Sequence, residues 1–231
     1  MKNYLVVGAS SGIGNQITRL LSEMGHHVWG TYYKNQPNES MEGVKWLQWL
    51  ADEPFDATSL PEILHGLVYC VGAIPLKSFQ STTERDFIDD FSVQVVGATR
   101  VLRATLSRLK AAEKASVVLF STVAVQTGIP FHSVVSASKG AIEGLTRSLA
   151  AEWAPRIRVN AIAPSLTDTP LASRLLAGDE KRKAAAERHP LRRVGTALDQ
   201  AQAAVFLLTD ASSWITGQIL HVDGGFSNLK V

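Results

Sequence analysis

Cysteine, net charge and long apolar runs are all scarce in this chain. Its single cysteine, Cys70, allows neither an internal disulfide nor a cysteine metal site, and we predict no metal centre. A net charge of +2 is too small to indicate a nucleic acid as partner. No apolar run approaches the roughly 18 residues that span a bilayer, and the first residues leave no room for a signal peptide. We therefore expect a cytoplasmic protein with neither a membrane nor a nucleic-acid partner.

The length and composition are those of an ordinary globular enzyme. The chain has 231 residues, of which 45% are hydrophobic and 19% are charged, enough for a sizeable core. No internal repeat, low-complexity tract or linker divides it. We therefore expect a single domain over residues 1–231.

Short apolar runs alternate with longer segments of helical periodicity. This alternation predicts an α/β fold in which helices cover both faces of a parallel sheet. The predicted strands cover residues 4–7, 27–29, 67–69, 117–120, 158–161 and 219–222. The predicted helices cover residues 13–24, 84–110, 134–153 and 199–208, with a short one near 60–64. Thr83 and Asp86 predict a weak capping box at the start of the longest helix.

A glycine-rich loop follows the first predicted strand and opens the first predicted helix. Glycines permit the tight turn there and let the backbone approach a pyrophosphate, which sits at the positive end of the helix. The glycines alone are a weak signal, but their place between strand and helix predicts a dinucleotide-binding loop. The cofactor-binding residues predicted in it are Gly8, Ser10, Ser11, Gly12, Ile13 and Gly14.

This loop and three later segments resemble the short-chain dehydrogenase/reductase family. The spacing G-x-x-x-G-x-G is followed, in the family's order, by VSASKGA at 135–141, RVNAIAP at 158–164 and WITGQILHVDGG at 214–225. The resemblance covers essentially the whole chain. It implies a doubly wound Rossmann fold with a seven-stranded parallel sheet of order 3-2-1-4-5-6-7. It also implies a homodimer or homotetramer that pairs the long helices at 84–110 and 134–153.

The resemblance implies NADP(H) as the preferred cofactor, with NAD(H) as the alternative. Family members that favour NAD carry an acidic residue at the end of the second strand, where this chain has Tyr33 and Lys34. Lys34 is suited to the 2′-phosphate of NADP, although it also fits a solvated loop position. Asp52, after the third strand, is expected near the adenine or as an ordinary loop acid.

A second segment expected to border the cofactor differs from the family's sequence motif. The usual Asn-Asn-Ala-Gly is replaced by Tyr69, Cys70, Val71 and Gly72. The position of the segment still implies that Cys70, Val71 and Gly72 border the cofactor.

The catalytic residues are where the resemblance weakens. Family members use a Ser, a Tyr, a Lys four residues after the Tyr, and an Asn on the preceding helix. Here the Lys is Lys139, but Val135 stands at the Tyr position, Thr122 at the Ser position and Gln94 at the Asn position. Because Val135 carries no ionisable group, a ketone reductase of the family's usual mechanism is not expected.

His132 is a candidate proton donor in place of the missing tyrosine. It precedes Lys139 by seven residues, the spacing between Tyr and Lys in the enoyl reductases of this superfamily. Two helical turns bring these positions onto one face if the helix extends back to His132. The other interpretation is a loop histidine, oriented by the segment around Pro130.

The substrate side resembles the family's "PGxxxT" loop, followed by a basic lid. Pro164, Thr167 and Thr169 are predicted cofactor contacts, and Ser165 replaces the glycine of the pattern. Residues 171–193 are expected to cover the substrate. One interpretation is that this lid attracts an anionic substrate, a coenzyme A phosphate or an acidic carrier protein. The other is that its charges are the solvent-exposed face of an amphipathic helix. Its basic residues are Arg174, Lys181, Arg182, Lys183, Arg188, Arg192 and Arg193.

Three functions stay open on this sequence. The first is an NADP(H)-dependent oxidoreductase with an atypical active site, reducing an activated C=C bond or a carbonyl of a small-molecule or acyl-thioester substrate. The second is a cofactor-binding pseudoenzyme or partner subunit without redox activity. The third is a lyase or cyclase that reuses the same cleft. Retention of Lys139, Thr122 and Thr169 favours the first, whereas loss of the tyrosine and asparagine favours the others.

Overall fold

A computed structural model describes residues 1–37 and 40–230 of the chain. Seven parallel strands form one sheet of order β3-β2-β1-β4-β5-β6-β9, which confirms the predicted topology. Two short strands, β7 and β8, pair separately beside it. The strands are β1 (Asn3–Val7), β2 (His27–Tyr32), β3 (Val44–Gln48), β4 (Gly66–Tyr69), β5 (Ala115–Phe120), β6 (Ile157–Pro164), β7 (Thr167–Asp168), β8 (Gly195–Thr196) and β9 (Ile219–Val222).

The helices lie on both faces of the sheet, as the alternation of elements predicts. Helices α1 and α7 share one face, and α3 and α5 contribute to the core of the other. The predicted capping box of Thr83 and Asp86 begins α2. The helices are α1 (Gly12–Glu23), α2 (Glu84–Phe91), α3 (Gly97–Ala111), α4 (Ala124–Thr127), α5 (Ser133–Trp153), α6 (Asp179–Glu187) and α7 (Ala197–Leu208).

Alternate residues of each central strand enter opposite cores. In β1, Leu5 and Val7 join the core under α3 and α5, whereas Tyr4 and Val6 join the core under α1 and α7. All four of these side chains are at most 1% exposed. Burial on both faces explains why these strands are continuous apolar runs rather than alternating ones. The pattern of β3 is less clear because it is an edge strand whose side chains are half-buried or exposed.

The helix predicted near residues 60–64 is absent, which corrects that prediction. Leu60 and Leu64 are buried in the core, as their apolar character requires, but from irregular backbone. The backbone N–H of Leu64 donates to the carbonyl of Arg108, and that of His65 donates to the carbonyl of Asn3. These donors serve neighbouring elements, so they are not available for a helical turn.

The long helix predicted at 84–110 is interrupted by a π-helical segment. Residues Ser92–Val96 form this segment between α2 and α3, and Gln94 lies in its middle. A π turn inserts an extra residue into the helix and often marks a functional site. Sequence periodicity does not show it, because the apolar positions continue on both sides.

Within the described residues, no helix is both long enough and apolar enough to cross a membrane. The homodimer or homotetramer stays a prediction.

Candidate active site

The carboxyl ends of β1, β4, β5 and β6 open into one cleft with a volume of about 1470 Å³. Ligands of doubly wound sheets bind at this edge, where connections leave the strands in opposite directions. Lys34 is the one predicted site residue that is not among the described lining residues. The predicted residues that line the cleft are Gly8, Ser10, Ser11, Gly12, Ile13, Gly14, Tyr33, Asp52, Cys70, Val71, Gly72, Gln94, Thr122, His132, Lys139, Pro164, Thr167 and Thr169.

The glycine loop at one end of the cleft is folded too tightly for side chains. A Cβ on Gly14 would overlap the carbonyl oxygen of Gly8. Gly8 itself has φ +84°, and a Cβ there would lie 3.1 Å from the backbone nitrogen of Val71. The Gly8 N–H donates to Thr31 Oγ1 at 2.9 Å, which ties the loop to β2. At its glycine positions the loop therefore presents bare backbone to the cleft.

The first turn of α1 is free to bind an anion. Its N-cap residue, Ser11, makes no side-chain cap hydrogen bond, and no acidic residue lies in the first turn. The N–H groups of such a turn carry the positive end of the helix dipole. Across the cleft, Thr169 lies 3.4 Å from where a Cβ on Gly12 would be. The loop after β6 thus closes over the glycine loop.

The end of β2 presents an aromatic ring and a lysine instead of a carboxylate. Tyr33 is 53% exposed and lines the cleft. The ammonium of Lys34 lies 5.0 Å from the centre of the Tyr33 ring, a cation–π contact that holds it beside the cleft wall. Asp52 lies exposed on the same stretch of the lining.

The segment after β4 forms the floor of the cleft. The Cys70 N–H donates to the carbonyl of Val7 at 2.8 Å, which extends the pairing of β4 with β1. Burial raises the pKa of the Cys70 thiol, so this group stays neutral at physiological pH. A Cβ on Gly72 would lie 3.2 Å from Gln94 Oε1 and 3.5 Å from Lys139 Nζ. Gly72 therefore brings the backbone close to both polar groups.

Lys139 and Asp90 place two opposite charges in the buried wall of the cleft. Lys139 is 8% exposed and Asp90 is 5% exposed. Burial lowers the pKa of Lys139 to about 8, and the negative charge of Asp90 opposes that decrease. Lys139 is thus a buried cation that can lose its proton near neutral pH.

Gln94, in the π-helical segment, is held in one orientation by hydrogen bonds to Asp90. Its Nε2 donates to both carboxylate oxygens of Asp90, at 2.7 and 2.8 Å. This fixes the amide so that Oε1 lies on the side of Gly72. Oε1 is fully buried and has no hydrogen-bond partner within the described residues. An orphaned buried acceptor of this kind is costly unless a water or a ligand satisfies it.

Val135 lies one helical turn before Lys139 and faces the same cleft. It is 4% exposed, so the wall where a tyrosine is expected is apolar. Thr122 accepts a hydrogen bond from the Ala124 N–H at 3.3 Å, which leaves its own O–H free to donate. The hydroxyl expected from a serine is therefore present in another residue type.

His132 lies outside α5, contrary to the extended helix on which its predicted alignment depends. The helix begins at Ser133, and His132 is its N-cap residue. The ring still lines the cleft, with Nδ1 at 2.8 Å from the carbonyl of Pro130. Because a carbonyl only accepts, Nδ1 carries a proton, and His132 donates from Nε2 only in its charged form.

The loop after β6 is held by its own hydroxyl groups. Thr167 Oγ1 donates to the carbonyl of Ser165 at 2.9 Å, and Thr169 Oγ1 donates to the carbonyl of Thr167 at 3.4 Å. Ser165 Oγ lies 2.8 Å from Nε2 of His189, a residue in the segment after α6. His189 is 3% exposed and also lines the cleft.

Most cations of the expected lid are paired or face solvent. Arg182 bonds Asp168 at 2.6 Å, and Arg193 bonds Asp199 at the same distance. Lys181 and Arg188 line the cleft. Arg188 also stacks on the ring of Phe226 at 5.3 Å. The lid thus brings only part of its charge to the cleft.

Three residues of the site escape sequence reasoning. The spacing of Asp90, four residues before Gln94, is a signal that the sequence does contain. Its burial is not, because it depends on the packing of α2 against α5. Thr31 orients the glycine loop from the middle of an apolar strand. His189 meets Ser165 only because the lid folds back over the sheet edge, for which no sequence signal exists.

The comparisons with known proteins agree on one family. Residues 56–227 match the family profile described as enoyl-(acyl carrier protein) reductase. A tropinone reductase homolog of Arabidopsis thaliana is 32% identical, covering 97% of this chain and 92% of that protein. The chain belongs to the short-chain dehydrogenase/reductase family.

Solved structures of this oxidoreductase family superpose closely on the chain. The ligand-free aldohexose dehydrogenase of Thermoplasma acidophilum is 26% identical with a TM-score of 0.90, covering 100% of this chain and 96% of that one. ElxO with NADP bound is 25% identical with a TM-score of 0.89, covering 99% and 100%. The fold is therefore that of the family over its whole length.

The two ends of the cleft carry different groups. The glycine loop between β1 and α1 shapes one end. At the other end Lys139 and Val135 lie one turn apart in α5, and Gln94 is hydrogen-bonded to Asp90.

Proposed function

We propose that this protein is an NADP(H)-dependent oxidoreductase that works without the family's tyrosine. The observation that carries the proposal is the cleft itself: a backbone-lined glycine loop and a buried lysine, Lys139, lie in one cavity. A buried cation and an orphaned buried acceptor are both costly unless a ligand or a water satisfies them. The proposal is supported by family membership, and the cofactor preference and substrate go beyond it.

The residues present fit a dinucleotide. The bare backbone of Gly8 to Gly14 and the free first turn of α1 suit a pyrophosphate. The absence of a carboxylate beside Tyr33, with Lys34 nearby, suits the extra phosphate of NADP. At the other end, Lys139 and the orphaned Oε1 of Gln94 offer a donor and an acceptor to ribose hydroxyls or to an ordered water.

The nicotinamide, when bound, supplies or accepts the hydride. The protein's own groups orient the substrate and exclude water. Thr122 offers its free O–H to the substrate oxygen, and Val135 makes the adjacent wall apolar. Thr169 and Pro164 close the cleft from the β6 side.

The substrate best suited to this wall is an activated C=C bond or an activated carbonyl, in a small molecule or an acyl thioester. Conjugate reduction leaves an enolate, whose delocalised charge can wait for a proton from solvent or His132, whereas an alkoxide forming beside Val135 has no acid positioned on that wall. A simple ketone needs a positioned acid at that point, and general acid help is typically worth ~10²–10⁴ in rate. His132, as imidazolium, is the candidate acid on this wall.

The experiment that tests the proposal is a cofactor titration followed by a substrate screen. Binding of NADPH and NADH is measured by the change in their fluorescence, and then enones, enoyl thioesters and simple ketones are compared. We expect tighter binding of NADPH and faster turnover of the activated substrates. A protein that binds neither dinucleotide contradicts the proposal. Binding without turnover of any substrate favours a cofactor-binding partner subunit instead.

A further inference from the structure

The two departures of the cleft from the family pattern lie on different sides of it. Val135 removes a hydroxyl from the α5 side, and Ser165 adds one at the end of β6, where the resembled pattern has glycine. The added hydroxyl is half-buried and lines the cleft. Compared with the resembled pattern, the cavity thus lacks the tyrosine hydroxyl and has an additional serine hydroxyl at another position.

The new hydroxyl is paired with a buried histidine. Ser165 Oγ and His189 Nε2 are 2.8 Å apart, and His189 is 3% exposed. The other ring nitrogen, Nδ1, lies 2.8 Å from the carbonyl of Ala185, one turn earlier. Because that carbonyl only accepts, Nδ1 carries a proton, so Nε2 of the neutral ring accepts from the Ser165 hydroxyl.

The surroundings hold this imidazole in place. The Phe226 ring packs on it with centroids 5.4 Å apart. Gly224 also borders it, since a Cβ there would lie in van der Waals contact with the histidine side chain, at 3.7 Å. A hydroxyl bonded to a histidine that a third group orients is the arrangement by which proteins activate serine for proton transfer.

We propose that Ser165 and His189 form the proton-transfer pair of this cleft, with Ser165 as the catalytic residue that contacts the substrate oxygen and His189 acting through it. This inference rests on the proposed oxidoreductase function. In alcohol oxidation, the substrate O–H bond breaks and its proton forms a new bond to Ser165 Oγ, while the serine's own proton passes to His189 Nε2. The hydride leaves the same substrate carbon for the cofactor.

In the reducing direction the same atoms move in reverse. The Nε2–H bond of protonated His189 breaks to restore the serine hydroxyl, and the Ser165 O–H proton forms the new bond to the substrate oxygen as its carbon gains the hydride. His189 then regains a proton from water in the cleft. Nδ1 takes no part, because it stays bonded to Ala185.

The first test is spectroscopic and needs no substrate. In protein labelled with ¹⁵N-histidine, the ring nitrogen shifts report which nitrogen carries the proton, and the His189→Gln variant identifies the signal among the six histidines. We expect His189 to be protonated at Nδ1, and Ser165→Ala to shift its Nε2 signal. An Nε2–H tautomer, or a signal that Ser165→Ala leaves unchanged, overturns the pair.

The second test compares turnover with cofactor binding. Ser165→Ala and Ser165→Gly should each lower kcat roughly 10²-fold or more and remove most of the solvent deuterium isotope effect on kcat. Their NADPH affinity should stay within about twofold of the wild type, and Ser165→Thr, which keeps a hydroxyl, should retain much of the activity. Ser78→Ala is the matched control, because Ser78 lines the same cleft but bonds Ser81 instead of a histidine.

The outcomes separate the two proposals. If the wild-type protein does not bind NADPH, both the proposed function and this inference are contradicted. Normal turnover in Ser165→Ala, with wild-type isotope effects, defeats the inference alone. The same holds if His132→Ala abolishes turnover while Ser165→Ala does not, because the proton then comes from the wall of α5.

Discussion

The two ends of the cleft are built from different parts of the chain. At the glycine-loop end the lining is backbone, shaped by Gly8 and Gly14 and anchored by Thr31. At the Lys139 end the lining is side chains, with Asp90 of α2 bonded to Gln94 of the π-helical segment. Backbone sites depend on chain geometry, which changes little within a fold. Side-chain sites change with single substitutions, and Val135, Thr122 and Gln94 at the second end differ from the residues that the sequence resemblance implies.

Restoring the tyrosine tests the side-chain end and should give the largest effect. Val135→Tyr places a phenol one turn before Lys139, so simple ketone reduction should rise, and by the full ~10²–10⁴ in a Ser165→Ala background that lacks the other proposed donor. The measurement is NADPH consumption with a panel of ketones. Val135→Phe is the control, because it adds the ring without the acid and should leave ketone turnover low. A wild-type protein that already reduces ordinary ketones at rates comparable with Val135→Tyr would show that the valine does not limit the chemistry.

Filling the glycine loop tests the backbone end. A Cβ on Gly14 overlaps the Gly8 carbonyl, so Gly14→Ala should lower the free energy of unfolding by about 1–3 kcal/mol and weaken NADPH binding at least tenfold. Thermal unfolding and fluorescence titration measure the two effects. Gly144→Ala in α5 meets open space and should leave NADPH affinity unchanged. Equal effects of the two substitutions would contradict the tight loop.

The charge pair at the side-chain end predicts a pH dependence of cofactor binding. Lys139, with its pKa lowered to about 8 by burial, is positive below that pH and neutral above it. Affinity for the negatively charged NADPH should therefore fall as the pH rises through about 8. Asp90→Asn removes a negative charge that holds this pKa up, so the fall should begin at lower pH, weakening binding up to about tenfold at pH 8.

The control for this prediction is the neighbouring acid. Asp89 is exposed and bonds Arg85, so Asp89→Asn should leave the midpoint where the wild type has it. Titrations of NADPH from pH 6 to pH 10 give the midpoints. A flat pH profile for the wild type would mean that the charge of Lys139 does not contribute to binding.

The smallest expected effect concerns the specificity for the extra phosphate. Lys34 lies beside the cleft on the ring of Tyr33, so Lys34→Ala should weaken NADPH binding by about threefold to fivefold, as an exposed ion pair is worth at most about 1 kcal/mol. NADH affinity should not change. Equal losses for both cofactors would show that Lys34 does not contact the extra phosphate. The ratio of NADPH to NADH affinity, compared at low and high salt, measures the contribution of the Lys34 charge.

The sequence alone predicts the backbone end almost completely. The strands are predicted by apolar runs whose residues are buried on both faces, and their order is what the family resemblance implies. The glycine loop is identified by its place between β1 and α1. Such features are local, because a strand, a turn and a helix start are each encoded within a few residues. The short helix near 60–64 is wrong since its donors are taken by distant carbonyls, which no local pattern reveals.

Only the tertiary structure decides which side chains at the Lys139 end are buried together and which of them are hydrogen-bonded. The sequence identifies Gln94, Lys139 and Val135 by position, but not that Asp90 is buried beside them or that a π turn orients the amide. It likewise names Ser165 without its partner His189, which is 24 residues away. These contacts join residues from separate helices and loops, and their energies depend on burial. Local sequence determines which groups the chain carries here, and the packing of distant elements determines their charge, orientation and partners.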